Sequence, residues 1–158
     1  MTPSSDLVLV ALPKAEVVWG ERTAVNRVIL RSIPAPASGF RWLDEVRVIP
    51  ATLAELAIDD VDYPVLPAPE VVERSGIPTL LARVACADEL DLSDLVEEFD
   101  TQGARCEEWT AATDEPNGPL RTHGVAIATT ADDAGSTLRI WIDEAPERRA
   151  LLEIDEAP

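Results

Sequence analysis

Cysteine, glycine, histidine and lysine are all scarce in this 158-residue chain, and each scarcity removes a class of protein. Two cysteines, Cys86 and Cys106, allow at most one bridge, so a disulfide-stapled scaffold is excluded. They are also too far apart to form the close C-x-x-C pair that presents two sulfurs to one zinc ion, and with His123 they make three scattered candidates rather than a ligand set. Seven glycines leave little material for a backbone cradle around a nucleotide phosphate, and neither a GxSxG elbow nor an HExxH pair is present. No metal or cofactor is expected. The longest apolar run, Leu7 to Leu12, is far short of the roughly 20 residues that span a bilayer. The opening residues MTPSSD lack a basic region ahead of an apolar core. The chain therefore reads as cytoplasmic, with reduced thiols.

What the chain has in excess is negative charge. Thirty acidic residues face thirteen basic ones, a formal net charge of −17, where small soluble domains usually carry a magnitude of about 2–8. Such a field repels nucleic-acid phosphates and anionic headgroups, so no direct nucleic acid or membrane partner is expected. A basic protein is the partner whose chemistry fits. Oligomeric state is left open by the sequence. Solvation of an acidic surface explains the same composition without any partner.

At this length one globular domain is expected over 1–158, with a frayed segment at 1–5 and an acidic tail at 153–158. The run Leu7–Leu12, stopped by Pro13, reads as a buried central strand. Val25, Val28, Ile29 and Ile33 fall at helical spacing, although the density of β-branched residues keeps a strand reading alive for 27–33. A strand is expected over 40–49, a short helix after Thr52, another over 69–75, and a strand over 79–86. Asp91 or Ser93 starts a helix running through Phe99; a further helix is expected over 104–112, and a turn over 114–118. The segment 120–144 reads as a β-hairpin turning at Asp132 to Ser136, followed by a helix from Pro146. The class that follows is α+β, a mixed or antiparallel sheet with short helices packed on it, with a mainly β sandwich as the alternative. The pentapeptide Ile142-Asp-Glu-Ala-Pro146 recurs at 154–158, a spacing too short for a solenoid repeat.

Candidate chemistry is thin. His123, the one histidine, pairs in the hairpin register with Glu144, and Cys106 or a carboxylate would be its partner in a small hydrolase or transferase. A histidine held by a carboxylate at the edge of a core explains the same residues more simply. Asp88, Asp91 and Asp94 have the look of a calcium loop but lack its glycine and closing Glu; acids favoured at a helix N-terminus account for them better. Four tryptophans are many for a chain with 4% aromatic residues. Trp109, flanked by Glu107 and Glu108, and Trp141, beside Asp143, are the candidate anchors of a partner-binding surface. The leading expectation is thus a non-enzymatic acidic module that docks a basic protein, in the manner of an inhibitor, antitoxin or immunity protein or an assembly subunit. The alternatives are the His123 enzyme and a structural subunit of a phage-like or secretion particle.

Overall fold

The computed structural model describes residues 6–14, 16–68, 70–113 and 120–157, with the backbone alone for 110–113. The segments expected to fray at 1–5 and to turn at 114–118 lie outside the described residues. The class is α+β, and the mainly β alternative is not needed. The chain divides into two compact units, Met1–Ile77 and Pro78–Pro158, each with an apolar core of its own.

The first unit is a seven-stranded mixed sheet. Its strands are β1 (Leu7–Leu12), β2 (Glu16–Ala24), β3 (Arg27–Leu30), β4 (Glu45–Arg47), β5 (Ala54–Ile58), β6 (Val61–Pro67) and β7 (Glu70–Glu73), in the order β5-β6-β1-β2-β3-β4-β7. Every pair is antiparallel except β1 with β6. β1 lies inside the sheet and buries Val8, Leu9, Val10 and Leu12, which is why it reads as an unbroken apolar run. Gly20 is required where β2 passes β3 closely, because a Cβ there would collide with Val28 and Val10. Hydrogen bonds from Ile49 N to Pro67 O and from Leu53 N to Val65 O draw the chain after β4 back to β6.

The second unit begins with β8 (Thr79–Cys86) and α1 (Glu89–Thr101). It continues through β9 (Arg105–Thr113), β10 (Arg121–Ala128) and α2 (Ala131–Glu144) to β11 (Arg149–Glu156). The four strands form an antiparallel sheet in the order β11-β8-β10-β9. Leu80, Ala82, Val84 and Cys86 of β8 and Val125 and Ile127 of β10 turn one face of that sheet into the core. There they meet Leu92, Leu95 and Phe99 of α1 and Ala134, Leu138 and Trp141 of α2. The alternating residues of each strand, such as Leu81, Arg83, Gly124 and Ala126, occupy the opposite face.

Several expected elements are corrected. The hairpin over 120–144 is a strand followed by a helix: β10 ends at Ala128, and the Asp132 to Ser136 stretch is helical. Thr130 caps α2 by accepting from Asp133 N at 3.2 Å, and Ala134, Thr137, Leu138 and Trp141 bury one helical stripe. Of the two readings of the segment ending at Ile33, the extended one holds: it is the β2–β3 hairpin, with Ala24 opposite Arg27 and β3 over Arg27–Leu30. The helix after Thr52 is β5, and Asp59 and Asp60 are a two-residue hairpin turn at φ 50° and 64°, as a type I′ turn requires. The helices expected over 69–75, over 104–112 and from Pro146 are the strands β7, β9 and β11. β11 runs to Glu156, so most of the expected acidic tail is a paired strand.

Candidate functional site

Of the two tryptophans offered as anchors, Trp109 is the one at the surface, 44% exposed. It sits in β9 where the pairing with β10 slips, between the pairs Gly124 with Thr110 and Val125 with Glu108. The slip is a β-bulge, a device that re-aims a side chain. Trp109 lines a groove of about 370 Å³ together with Leu81, Arg83, Gly124, Glu153 and Asp155, and Glu156 adds a third carboxylate. Gly124, which has no side chain, and Leu81 form the floor beside the indole. Arg83 Nη1 lies 3.4 Å from Glu153 Oε2, both groups about half exposed. Asp155 and Glu156 have no ion-pair partner among the described residues, and no cation lies over Trp109.

The two acids beside Trp109 in sequence part company. Glu107 shares the groove face by its pairing with Ala126, and it accepts from Arg105 Nε at 2.8 Å. Glu108 pairs with Val125, faces the helix side, and reaches His123. The candidate triplet Glu107, Glu108 and Trp109 is therefore not one surface.

His123 is nearly fully buried, with Nδ1 2.7 Å from Glu108 Oε2. A carboxylate does hold it, but the expected partner Glu144 is replaced by Glu108. Glu144 ends α2, with Oε2 3.7 Å from Arg149 Nη1. Cys106 pairs with Ile127, four residues along β10 from His123, which is roughly 13 Å at the rise of an extended strand. Cys106 and His123 are thus not brought together. The depression beside His123 is lined by Ala87, Asp88, Glu89 and Arg121, with no thiol or hydroxyl among them. Burial, with Glu107 adding to it, pushes the Cys106 thiol up to about 12. Burial, then Asp91, Asp88 and Glu89, raises that of Cys86 to about 11. Both are free, buried and electronically silenced as thiolates.

Trp141 is corrected outright as a surface anchor: it is completely buried. Around it lies a charged network that the sequence did not announce. The indole Nε1 donates to Asp91 O at 2.8 Å, and the Arg149 guanidinium stacks 5.1 Å from the ring centroid. Arg149 also donates to Asp91 Oδ1 at 2.9 Å, to Asp94 Oδ2 at 3.0 Å and to Trp141 O at 2.8 Å. Arg148 bridges Asp88 and Asp91. Asp88 is the N-cap of α1 and makes a reciprocal capping box with Asp91, so the acids read as helix N-terminal residues do occupy that place. Burial alone would raise the Asp91 pKa, but the hydrogen bonds from Arg148 and Arg149 outweigh it and bring the carboxyl down to about 2. Asp143 is exposed near the end of α2, away from any anchor role for the buried ring of Trp141.

No helix among the described residues is long and apolar enough to cross a membrane. No protein-family model and no curated protein matches the chain. Among solved structures it is similar to a hypothetical protein from Neisseria gonorrhoeae, whose crystal structure is described as novel. The two are 14% identical with a TM-score of 0.39, over 99% of this chain and 96% of that one.

Proposed function

We propose that this chain is a non-enzymatic acidic interaction module that docks a basic protein partner. The observation that carries the reading is where the charge lies. Residues 1–77 hold 11 acidic and 7 basic residues, a net of −4, whereas 78–158 hold 19 and 6, a net of −13. That second unit also carries the exposed Trp109 and its apolar-floored, carboxylate-rimmed groove. An aromatic anchor in a partly enclosed pocket, surrounded by charge of one sign, is the anatomy of an interface hot spot with electrostatic steering. The catalytic pairing of Cys106 with His123, by contrast, is not brought together.

The test separates a docking face from bulk acidity. Glu153→Gln/Asp155→Asn/Glu156→Gln and Asp59→Asn/Asp60→Asn/Asp62→Asn remove the same charge from the second and the first unit. Immobilised wild-type protein is expected to retain a stoichiometric basic protein from source lysate at low salt and release it at high salt. The first variant loses that capture and the second keeps it. Equal losses, or an empty eluate at both salt levels, would overturn the proposal.

A further inference from the structure

We propose that the Trp109 groove receives an arginine side chain from an exposed, extended segment of that partner, stacked on the indole and held by the carboxylates of β11. The inference rests on the docking reading above and assigns its central contact.

Register fixes the layout of the groove. On the sheet face turned away from the helices, Gly124 of β10 stands opposite Arg83 of β8, which stands opposite Glu153 of β11. Two residues along, Ala126 stands opposite Leu81, and Leu81 opposite Asp155. The centre is therefore built of residues with little or no charged bulk, apart from Arg83. One bank is the Trp109 indole, and the other is acidic. A long side chain lying across Gly124 and Leu81 meets an aromatic face on one side and uncompensated carboxylates on the other. Arg83 satisfies Glu153 in part, which leaves Asp155 as the carboxylate of this face without a cation among the described residues, while Glu156, opposite Leu80, borders the groove from the end of the strand.

The choice of arginine follows from chemistry the same unit already uses. In its core, Arg149 lies over Trp141 with Asp91 and Asp94 accepting from its guanidinium. The groove assembles the same components, an indole and carboxylates, but its Arg83 is turned to Glu153 and no cation lies over the indole among the described residues. A planar guanidinium stacks on an indole and forks toward carboxylates, and it sheds water more readily than an ammonium. Lysine offers only a compact, strongly hydrated charge to the same site. The apolar floor selects for the methylene stem, and the acidic rim rejects phosphate-bearing ligands.

The experiment uses the whole chain and three acetylated pentapeptides, Gly-Ser-X-Ser-Gly amide, with X arginine, lysine or citrulline. Binding is followed at low salt through the tryptophan indole N–H resonances, with Trp109→Phe identifying the relevant peak. The arginine peptide is expected to shift the Trp109 signal and leave that of Trp141 in place, to bind at least threefold more tightly than the lysine peptide, and to lose binding when citrulline removes the charge. Trp109→Ala is expected to weaken arginine-peptide binding at least tenfold, with an unmoved Trp141 resonance showing that the fold is intact. Equal affinities for arginine and lysine together with no effect of Trp109→Ala would overturn the assignment. If the charge-variant capture experiment still behaves as expected in that case, the docking reading stands and only this contact falls. If neither the peptides nor any basic protein binds, both fall.

Discussion

Trp141 and Trp109 belong to the same unit and have opposite fates. Trp141 sits on a helical stripe with Ala134, Thr137 and Leu138, so the packing of α2 carries it inward, where Arg149 covers its face and Asp91 takes its N–H. Trp109 sits at a strand bulge, and the slip in register aims it outward into a groove with acids on the far bank. The core site has its cation over the ring, whereas in the surface groove Arg83 is turned to Glu153 and no cation lies over Trp109 among the described residues. Satisfied by its own residues, an aromatic-acid cluster contributes to folding; on the reading proposed above, one whose ring is left open serves recognition.

This contrast is open to direct attack. The largest expected effect is that of Trp141→Ala. Removing a fully buried indole is expected to cost the second unit roughly 3–5 kcal/mol, measured by urea unfolding. Arg149→Met comes next. It leaves the buried Asp91 with Arg148 as its remaining cation, and breaking a buried pair of this kind costs roughly 3–5 kcal/mol at its upper range, reduced here by that surviving partner. If Arg149→Met were neutral at pH 7, the core cluster would not be the stabilising device described.

Acid should act on the stability of the core site. Because the folded Asp91 carboxyl lies near 2, below its ordinary value of 3.8, its contribution is whole above about pH 4 and is lost as the pH falls toward 2. A loss on the order of 2 kcal/mol is expected over that window, read from denaturation midpoints at stepped pH. Asp91→Asn should flatten the profile. The smallest effect is that of Trp109→Ala on stability, expected within about 0.5 kcal/mol of wild type, because the residue lies at the surface, 44% exposed. A cost as large as that of Trp141→Ala would show that Trp109 is a structural residue after all.

The sequence made some of this legible for physical reasons that can be named. β1 and β8 were readable because a strand buried within a sheet leaves a continuous or strongly apolar run, and α1 because its caps and apolar stripe agree. α2 was misread through Leu138, Ile140 and Ile142, whose alternation mimics a strand. The informative signals were the Thr130 cap with Asp132 and Asp133 in the first turn, and the spacing 134, 137, 138, 141. β5 and β9 misled for the opposite reason. β5 is exposed along nearly its whole length, so no buried alternation marks it. β9 is broken by the bulge at Trp109. Among the site residues, Trp109 was found by its acidic flanks. The second bank of the groove came from β11, some 45 residues away in sequence and two strands removed across the sheet from β10, a juxtaposition that only the pairing order reveals. The Arg149 network was hidden in the same way, because Arg149 and Asp91 meet across 58 residues.

That long reach has a kinetic consequence. Until Arg148 and Arg149 arrive, the first turns of α1 gather Asp88, Glu89, Asp91 and Asp94 without the two guanidinium groups that pair with Asp88, Asp91 and Asp94, so the helix start repels itself. Loop closure over such a separation is slow to be rewarded. The docking of β11 onto β8 should therefore be a late event in the folding of the second unit. Substitutions at Arg149 should speed unfolding far more than they slow refolding, as the two arms of a chevron plot would record.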